Sequence, residues 1–253
     1  MKSILKKVVG IAVAVTLAFG MISCSDPVVS AGPDYSKCVV GDFILKDGTV
    51  LSKDTDLTAD QKQNVAAVIV RAAADGKSAL GVGIVHEKLA WCNEYSDSSN
   101  TTKVSGYITK IETLLGEVTS GYMDGSNSWA ILVEACEDLK NATAETIETV
   151  AQNYPAFNYC RKYGTTNGLT GALKNGWYLP TVAELHTIYQ NQTTVNVSLS
   201  KTSGSQFGTK FYLSCCQGVT AKLSSHGLHF SDGDPCNSIK SSNDFVCAVR
   251  AFK

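Results

Sequence analysis

The sequence predicts an α+β fold, because patterns typical of strands occur at both ends of the chain and patterns typical of helices lie between them. Residues 39–51 contain two short apolar runs on either side of Asp47 and Gly48, which predicts a hairpin with a tight turn. Residues 246–252 alternate well enough to form a closing strand. We expect this strand to lie beside the opening hairpin.

Two further apolar runs follow the hairpin, at residues 67–71 and 80–85, and they flank an Asp-Gly turn signal at Asp75 and Gly76. We interpret residues 67–71 as a strand. A helix is the alternative, because Thr58 and Gln61 have the spacing of a capping box.

The middle of the chain predicts four helices from apolar residues at helical spacing. Tyr154 and Pro155 are predicted to end the third helix, and Thr181 and Glu184 to form a capping box at the start of the fourth. From residue 192 onward we expect short strands and loops. The apolar positions of the four helices are Tyr107, Ile111, Leu114, Leu115 and Val118; Trp129, Leu132, Val133, Cys136 and Leu139; Ile147, Val150 and Ala151; and Val182, Leu185, Ile188 and Tyr189.

The N-terminus predicts export and lipidation. Lys2, Lys6 and Lys7 precede an apolar run at residues 8–22, which is shorter than the roughly 20 residues of a membrane-spanning helix and is typical of a secretory signal. The run ends in Met-Ile-Ser-Cys, which resembles a relaxed bacterial lipobox with Cys24 as the acylated residue. An ordinary signal peptide with a chance cysteine is disfavoured by the small Ser23 and the polar residues that follow.

These features divide the chain into a signal peptide at residues 1–23, a lipid-anchored tether at 24–37 and one domain at 38–253. The net charge of −1 comes from 22 basic and 23 acidic residues. Cleavage removes three lysines and no acidic residue, which leaves 19 basic residues against 23 and a net charge of −4. A net negative chain carries no excess of basic residues to neutralise phosphates, so nucleic-acid binding is not expected.

Eight cysteines remain after Cys24. An even number in an exported chain is typical of disulfides, but the spacing lacks the density of a small disulfide scaffold. We expect buried free thiols with one or two bridges at most. The eight are Cys38, Cys92, Cys136, Cys160, Cys215, Cys216, Cys236 and Cys247.

Three segments of the last third, taken in order, resemble exported domains with a C-type-lectin-type fold like that of formylglycine-generating enzymes. The first is Gly-Trp-Tyr-Leu-Pro-Thr at residues 176–181, followed by Glu184 and Leu185; the second is Tyr-Leu-Ser-Cys-Cys-Gln at 212–217. The third joins Phe-Ser-Asp-Gly at 230–233 to Lys240 and Val-Cys-Ala-Val-Arg at 246–250.

Within that group the chain most resembles the variable proteins of diversity-generating retroelements, treponemal variable lipoproteins among them. The resemblance implies a single domain whose C-terminal region, about residues 212–252, is rewritten at adenine-containing codons while the fold stays fixed. Leu213 and Cys247 depart from the usual tryptophan and arginine of the pattern.

The stretch from Tyr212 to Phe245 carries an assortment of side chains that no single reaction requires, as expected of a diversified binding surface. An ordinary polar loop region is the alternative. The candidate ligand contacts are Tyr212, Cys215, Cys216, Gly218, Lys222, His226, His229, Asp232, Asp234, Cys236 and Ser238.

Two other chemistries could use the same residues. Zinc suits thiolates and imidazoles, but the adjacent Cys215 and Cys216 are a poor pair for one tetrahedral site, so no metal is expected. The namesake of the fold oxidises thiols with C-terminal cysteines, which makes a cysteine-dependent oxidase the enzymatic alternative. We expect no enzymatic activity and no cofactor. The expected protein is a monomeric outer-membrane surface lipoprotein that binds a protein or glycan on a host or neighbouring cell.

Overall fold

The computed structural model describes residues 33–93, 124–217 and 224–253. Within these ranges, the residues from Pro33 to Lys253 form one compact unit with mixed α and β structure around a large sheet. No helix in the described ranges is long and apolar enough to cross a membrane. The strands are β1 Phe43–Leu45, β2 Val50–Leu51, β3 Val65–Arg71, β4 Ala79–Leu89, β5 Trp177–Tyr178, β6 Phe211–Gln217, β7 Ser224–His229, β8 Pro235–Ile239 and β9 Asp244–Phe252.

Seven α-helices are described, most of them between β4 and β6. Short 3₁₀ helices occur at Tyr35–Lys37, Ala151–Asn153 and Gly171–Lys174. The α-helices are α1 Ala59–Asn64, α2 Ser128–Ala135, α3 Glu137–Lys140, α4 Ile147–Val150, α5 Pro155–Thr166, α6 Val182–Gln190 and α7 Gln192–Ser200. The helix predicted around Tyr107 to Val118 lies outside the described residues.

The sheet runs in the order β2-β1-β3-β4-β9-β6-β7-β8, and β5 pairs with β9 beside this path. All the described pairings are antiparallel except that of β6 with β9. The predicted closing strand exists as β9, but its predicted position beside the opening hairpin is wrong. Two strands, β3 and β4, separate β9 from β1, because β3 pairs with β1 and leaves β4 to pair with β9.

The opening hairpin forms as the sequence predicts, with Gly48 at φ +92° in the turn between β1 and β2. The packed region begins before residue 38, however, so the boundary predicted for the tether is too late. The ring of Tyr35 is buried, 5.1 Å from that of Phe252, and its hydroxyl donates to the carbonyl of Gly48 at 3.4 Å. Residues 34–37 are thus anchored on the fold.

Helices cover both faces of the centre of the sheet. Six consecutive residues of β3, from Val65 to Val70, are buried, which requires cover on both sides because successive side chains point to opposite faces. Helix α5 packs against β4, β5 and β9, whereas α6 and α7 pack against β3.

Helix α5 supplies hydrogen-bond partners for backbone groups at a break in the β4–β9 ladder. The register of that pairing shifts between Val82 and His86, which takes the backbone of Val85 out of the regular ladder. Its N–H donates to the hydroxyl of Tyr163 at 3.2 Å, and its carbonyl accepts from that of Tyr159 at 2.7 Å. Gly83 makes this approach possible, since a Cβ there would lie 2.3 Å from Cζ of Tyr163.

Both capping boxes predicted from sequence are present, at Thr58 with Gln61 and at Thr181 with Glu184. The first caps a six-residue helix that is followed at once by β3, so the strand interpretation of residues 67–71 is also confirmed. Two helices were missed. Pro155 begins α5, where proline suits the first helical position, and α7 forms in a segment rich in threonine, valine and serine because Val195 and Leu199 are buried.

Candidate functional site

The predicted contact region begins on a buried strand. Tyr212 in β6 is 0% exposed, with its ring centroid 4.9 Å from those of both Phe207 and Phe230. Its hydroxyl oxygen lies 2.9 Å from Nδ1 of His86 in β4. The interpretation of Tyr212 as a ligand contact is therefore wrong. The rings of Phe207, Phe230 and Phe245 surround the ring of Tyr212 in the core.

Cys215 and Cys216 are also core residues, 2% and 0% exposed. Their interpretation as ligand contacts is therefore wrong as well. The pairing of β6 with β7 shifts between Leu213 and Gln217, so both cysteines lie in an irregular stretch of the strand. The N–H of Cys215 donates to the carbonyl of Pro180 at 2.8 Å, at the entrance to α6. Burial raises the pKa of the Cys215 thiol, which is therefore protonated at neutral pH.

The exposed part of the region is the hairpin formed by β7, β8 and residues 230–234 between them. We call these residues, 224–239, the β7–β8 hairpin. Its connection is rigidly held, because the N–H of His229 donates to the carbonyl of Asp234 at 3.0 Å and that of Gly233 to the carbonyl of His229 at 2.8 Å. Gly233 has φ +81°, and a Cβ there would lie 2.3 Å from the ring of Tyr189 in α6.

Asp232 and Asp234 project from this connection into solvent. The carboxylate of Asp232 accepts hydrogen bonds from the N–H of Asp234 at 3.0 Å and from the hydroxyl of Ser231 at 3.1 Å. The backbone hydrogen bond from Asp234 is the main cause that lowers the pKa of Asp232. Both aspartates are thus available to a ligand on a fixed turn.

The remaining predicted contacts divide between the two faces of the hairpin. Residues directly opposite in an antiparallel pair share a face: His226 is opposite Asn237, and Ser225 is opposite Ser238. Alternation places Cys236 on the face of Ser238, away from His226. Cys236 is exposed, His226 and Ser238 are half-buried, and Ser238 donates to the carboxylate of Asp244 at 2.5 Å.

The ring of half-buried His229 lies beside Phe211, with centroids 5.1 Å apart. Sequence reasoning missed two further exposed side chains of β8, Asn237 and Ile239, of which Ile239 is 61% exposed. The signal that could have found them is strand alternation around Cys236 and Ser238. Gly218 and Lys222 lie outside the described residues, as does Cys24.

None of the eight cysteines after Cys24 forms a disulfide; Cys236 is exposed, and the other seven are buried. The expectation of buried free thiols is confirmed, and no bridge joins these eight. The thiol of Cys236 contacts the carbonyl of Asn237 at 3.8 Å. Within the described residues, no three His, Cys, Asp or Glu side chains are placed to hold a metal ion.

Comparison with known proteins gives a fold and no family. No protein-family model matches the chain, and no curated protein matches it. A crystal structure of a fimbrial protein from Bacteroides ovatus is similar, with a TM-score of 0.57 and 14% sequence identity over 85% of this chain and 49% of that chain. The match therefore spans about half of the fimbrial protein. At this identity it shows a shared fold.

Proposed function

We propose that the chain is an exported lipoprotein, anchored through Cys24, that presents the β7–β8 hairpin to a protein or glycan on a host or neighbouring cell. The observation that supports this most is the arrangement of the hairpin. Exposed Asp232, Asp234, Cys236, Asn237 and Ile239 project from a connection and an edge strand that the buried aromatic core holds in place. Substitution at such positions changes the surface without disturbing the fold.

The finer fold belongs to the same proposal. We propose a C-type-lectin-type domain like that of formylglycine-generating enzymes, on the strength of the motif residues. Gly176 has φ +84°, Trp177 donates through Nε1 to the carbonyl of Leu173 at 2.7 Å, and Thr181 caps α6. These contacts support a structural role for the motif. The ligand-binding surface would then be the β7–β8 hairpin.

Diversification by a retroelement would act on the exposed positions. The burial of Tyr212, Cys215 and Cys216 argues that changes there would disturb folding, so the diversified set is expected to be narrower than residues 212–252. Neighbouring DNA should contain a near-copy of the codons for this region and a reverse-transcriptase gene. Differences at template adenines that decode to His226, Asp232, Asp234 and Cys236 would support diversification; absence of the copy would leave a fixed-specificity binder.

We propose binding without catalysis. The cysteine-dependent oxidase alternative requires an accessible, activated thiol, whereas Cys215, Cys216 and Cys247 are buried and burial raises the pKa of Cys215 and Cys247. Aldehyde production that disappears in Cys236→Ser would favour the oxidase.

The binding function is tested with tetramers of the mature chain, carrying Cys24→Ser and a biotin at its N-terminus, on glycan arrays and intact cells. Multivalent display makes weak binding by single sites measurable, because avidity increases the overall affinity. We expect the double variant Asp232→Ala, Asp234→Ala to lose binding. The matched control, Asp54→Ala with Asp56→Ala, removes the same charge from exposed positions after β2, at the other end of the sheet, and should bind like the wild type.

Absence of binding by wild-type tetramers to any glycan or cell would contradict the proposal. Equal binding by the hairpin variant and the control would move the contact surface away from the β7–β8 hairpin.

A further inference from the structure

A cavity of about 470 Å³ lies at the C-terminal end of β9, away from the residues of the β7–β8 hairpin. Three segments line it: the polar loop at residues 124–126, the segment at 172–176, and the C-terminal residues with the cationic Arg250 and Lys253. Tyr35 and Tyr178 complete the wall. Its size is that of a small-molecule site.

The guanidinium of Arg250 is fixed at this cavity. Its Nε donates to the carbonyl of Asn175 at 2.9 Å, and its second terminal nitrogen donates to the carbonyl of Ala172 at 2.8 Å. Its Cζ lies 4.9 Å from the ring centroid of Phe252. Two backbone acceptors and an aromatic ring together fix the plane of the guanidinium. The side chain therefore loses little conformational entropy when a ligand binds.

Donors of Arg250 remain for a ligand. A guanidinium has five N–H donors, and two of them are used by Asn175 and Ala172. Within the described ranges, no carboxylate forms an ion pair with Arg250. Burial lowers the pKa of this half-buried group, which nevertheless stays protonated at neutral pH. The cavity therefore contains a partly desolvated cation that an anion could pair with.

The cation that the fold fixes in the lining, Arg250, favours a ligand with a negative charge. Among the side chains of the lining, Arg250 and Lys253 are cationic and Asp124 is anionic, which leaves one positive side-chain charge in excess. A carboxylate carries one negative charge, whereas a phosphate monoester carries about −1.5 to −2 at pH 7. The planar fork of Arg also matches the two oxygens of a carboxylate.

The rest of the lining suits a sugar ring. Asp124 and the exposed Ser126 offer an acceptor and a hydroxyl for hydroxyl groups, while Tyr35 and Tyr178 add apolar ring surface against which the C–H groups of a sugar can pack. We propose that this cavity binds an acidic sugar, such as a sialic acid or a hexuronic acid, with its carboxylate on Arg250. This site uses none of the hairpin residues and does not rest on the function proposed for the hairpin.

Calorimetric titration of the mature chain with N-acetylneuraminic acid and with glucuronic acid tests the proposal. The methyl ester of each acid lacks the charge and should bind at least about tenfold more weakly, since a guanidinium forms stronger hydrogen bonds with a carboxylate than with a neutral ester. Glucose 6-phosphate should bind more weakly than either acid. No binding of the acids at millimolar concentration, equal binding of acid and ester, or tighter binding of the phosphate would overturn the assignment.

Arg250 also supports the local backbone, so replacing it would mix a loss of binding with a loss of folding. Variants of Ala172 avoid this problem. Ala172 is exposed and lines the cavity, and its carbonyl bond to Arg250 is unaffected by the side chain. Ala172→Glu introduces a competing carboxylate and should weaken acid binding at least about tenfold, whereas the isosteric Ala172→Gln should weaken it much less. Equal affinities for the two variants would refute a role for charge at Arg250.

The hairpin variant Asp232→Ala, Asp234→Ala separates this site from the proposed function. It should bind acidic sugars with wild-type affinity even if it loses its cellular partner. Loss of acid binding in that variant would contradict a separate site at Arg250.

Discussion

Nδ1 of His86 lies 2.9 Å from the hydroxyl oxygen of Tyr212, which joins β4 to β6 across the intervening β9. The two rings meet edge to face, with centroids 5.4 Å apart. Nε2 of the same imidazole is buried without a hydrogen-bond partner among the described residues. Burial lowers the pKa of His86 to about 3, which keeps the ring neutral at neutral pH.

Replacing Tyr212 by phenylalanine should therefore destabilise the fold. Tyr212→Phe keeps the buried ring and leaves Nδ1 of His86 without its partner, which is expected to lower the free energy of unfolding by about 1–3 kcal/mol. Urea denaturation measures the change. The control is Tyr189→Phe, because the hydroxyl of half-buried Tyr189 makes no hydrogen bond with a described residue. Unchanged stability with weakened partner binding would restore Tyr212 as a contact residue.

The stability of the fold should depend on pH through Glu184. Burial raises the pKa of this carboxyl from 4.5 to about 7, although the N–H of Thr181 and the hydroxyl of Tyr178 donate to it and Asp124 adds a smaller upward effect. The unfolded chain thus releases this proton at lower pH than the folded chain. The contribution of Glu184 to stability is fully present below pH 4.5 and is lost as the pH rises through 7, by roughly 3 kcal/mol.

Denaturation of the wild type and Glu184→Gln at several pH values measures this contribution. Gln does not ionise, and its Oε1 can accept from the N–H groups of Thr181 and Gly125 while its amide nitrogen donates to the hydroxyl of Tyr178. The variant should therefore gain stability relative to the wild type as the pH rises from 4.5 to 7. Glu87→Gln, at an exposed position of β4, controls for the loss of one carboxylate. A constant difference between wild type and Glu184→Gln across the range would refute the raised pKa.

A methyl group at Gly83 should disrupt the contact between β4 and α5. Its Cβ would lie 2.3 Å from Cζ of Tyr163, so Gly83→Ala should lower the free energy of unfolding by about 1–3 kcal/mol through overpacking. Gly208→Ala is the control, since the nearest atom to a Cβ there is Cε of Lys210 at 3.9 Å. Thermal denaturation compares the two, and equal midpoints would contradict the close packing.

The cysteines of the candidate region should differ sharply in their tolerance of substitution. Cys236→Ser on the exposed edge strand should change the free energy of unfolding by no more than about 0.5 kcal/mol. Cys216→Asn would bury an amide in the core and should lower it by about 1–3 kcal/mol. Chemical denaturation distinguishes them. Similar effects at both positions would show that Cys216 is accessible.

Lipidation should depend on Cys24. We expect the wild type to incorporate labelled palmitate in its native cell and to partition into detergent, because more than one acyl chain gives stable membrane binding. Cys24→Ala should abolish both. Cys38→Ala, at the next cysteine in the chain, should retain the label. An unlabelled, detergent-excluded wild type would contradict the anchor.

Elements whose causes are local can be predicted from the sequence. The turn at Gly48 and the capping boxes at Thr58 and Thr181 depend on residues within a few positions of one another, so their signals are present in the sequence alone. Pro155 is predicted only to end a helix, whereas it also begins one, because proline suits the first helical position.

The order of the strands and the accessibility of the candidate contacts depend on tertiary packing and cannot be predicted from local patterns. The position of β9 between β4 and β6, the burial of Tyr212 and Cys216, and the cavity around Arg250 all depend on segments that are distant in sequence. Tyr212 and Asp234 both lie in a polar, glycine-rich stretch, yet one is core and the other surface. Burial is a property of the packed neighbours, and no local pattern records which strands will become neighbours.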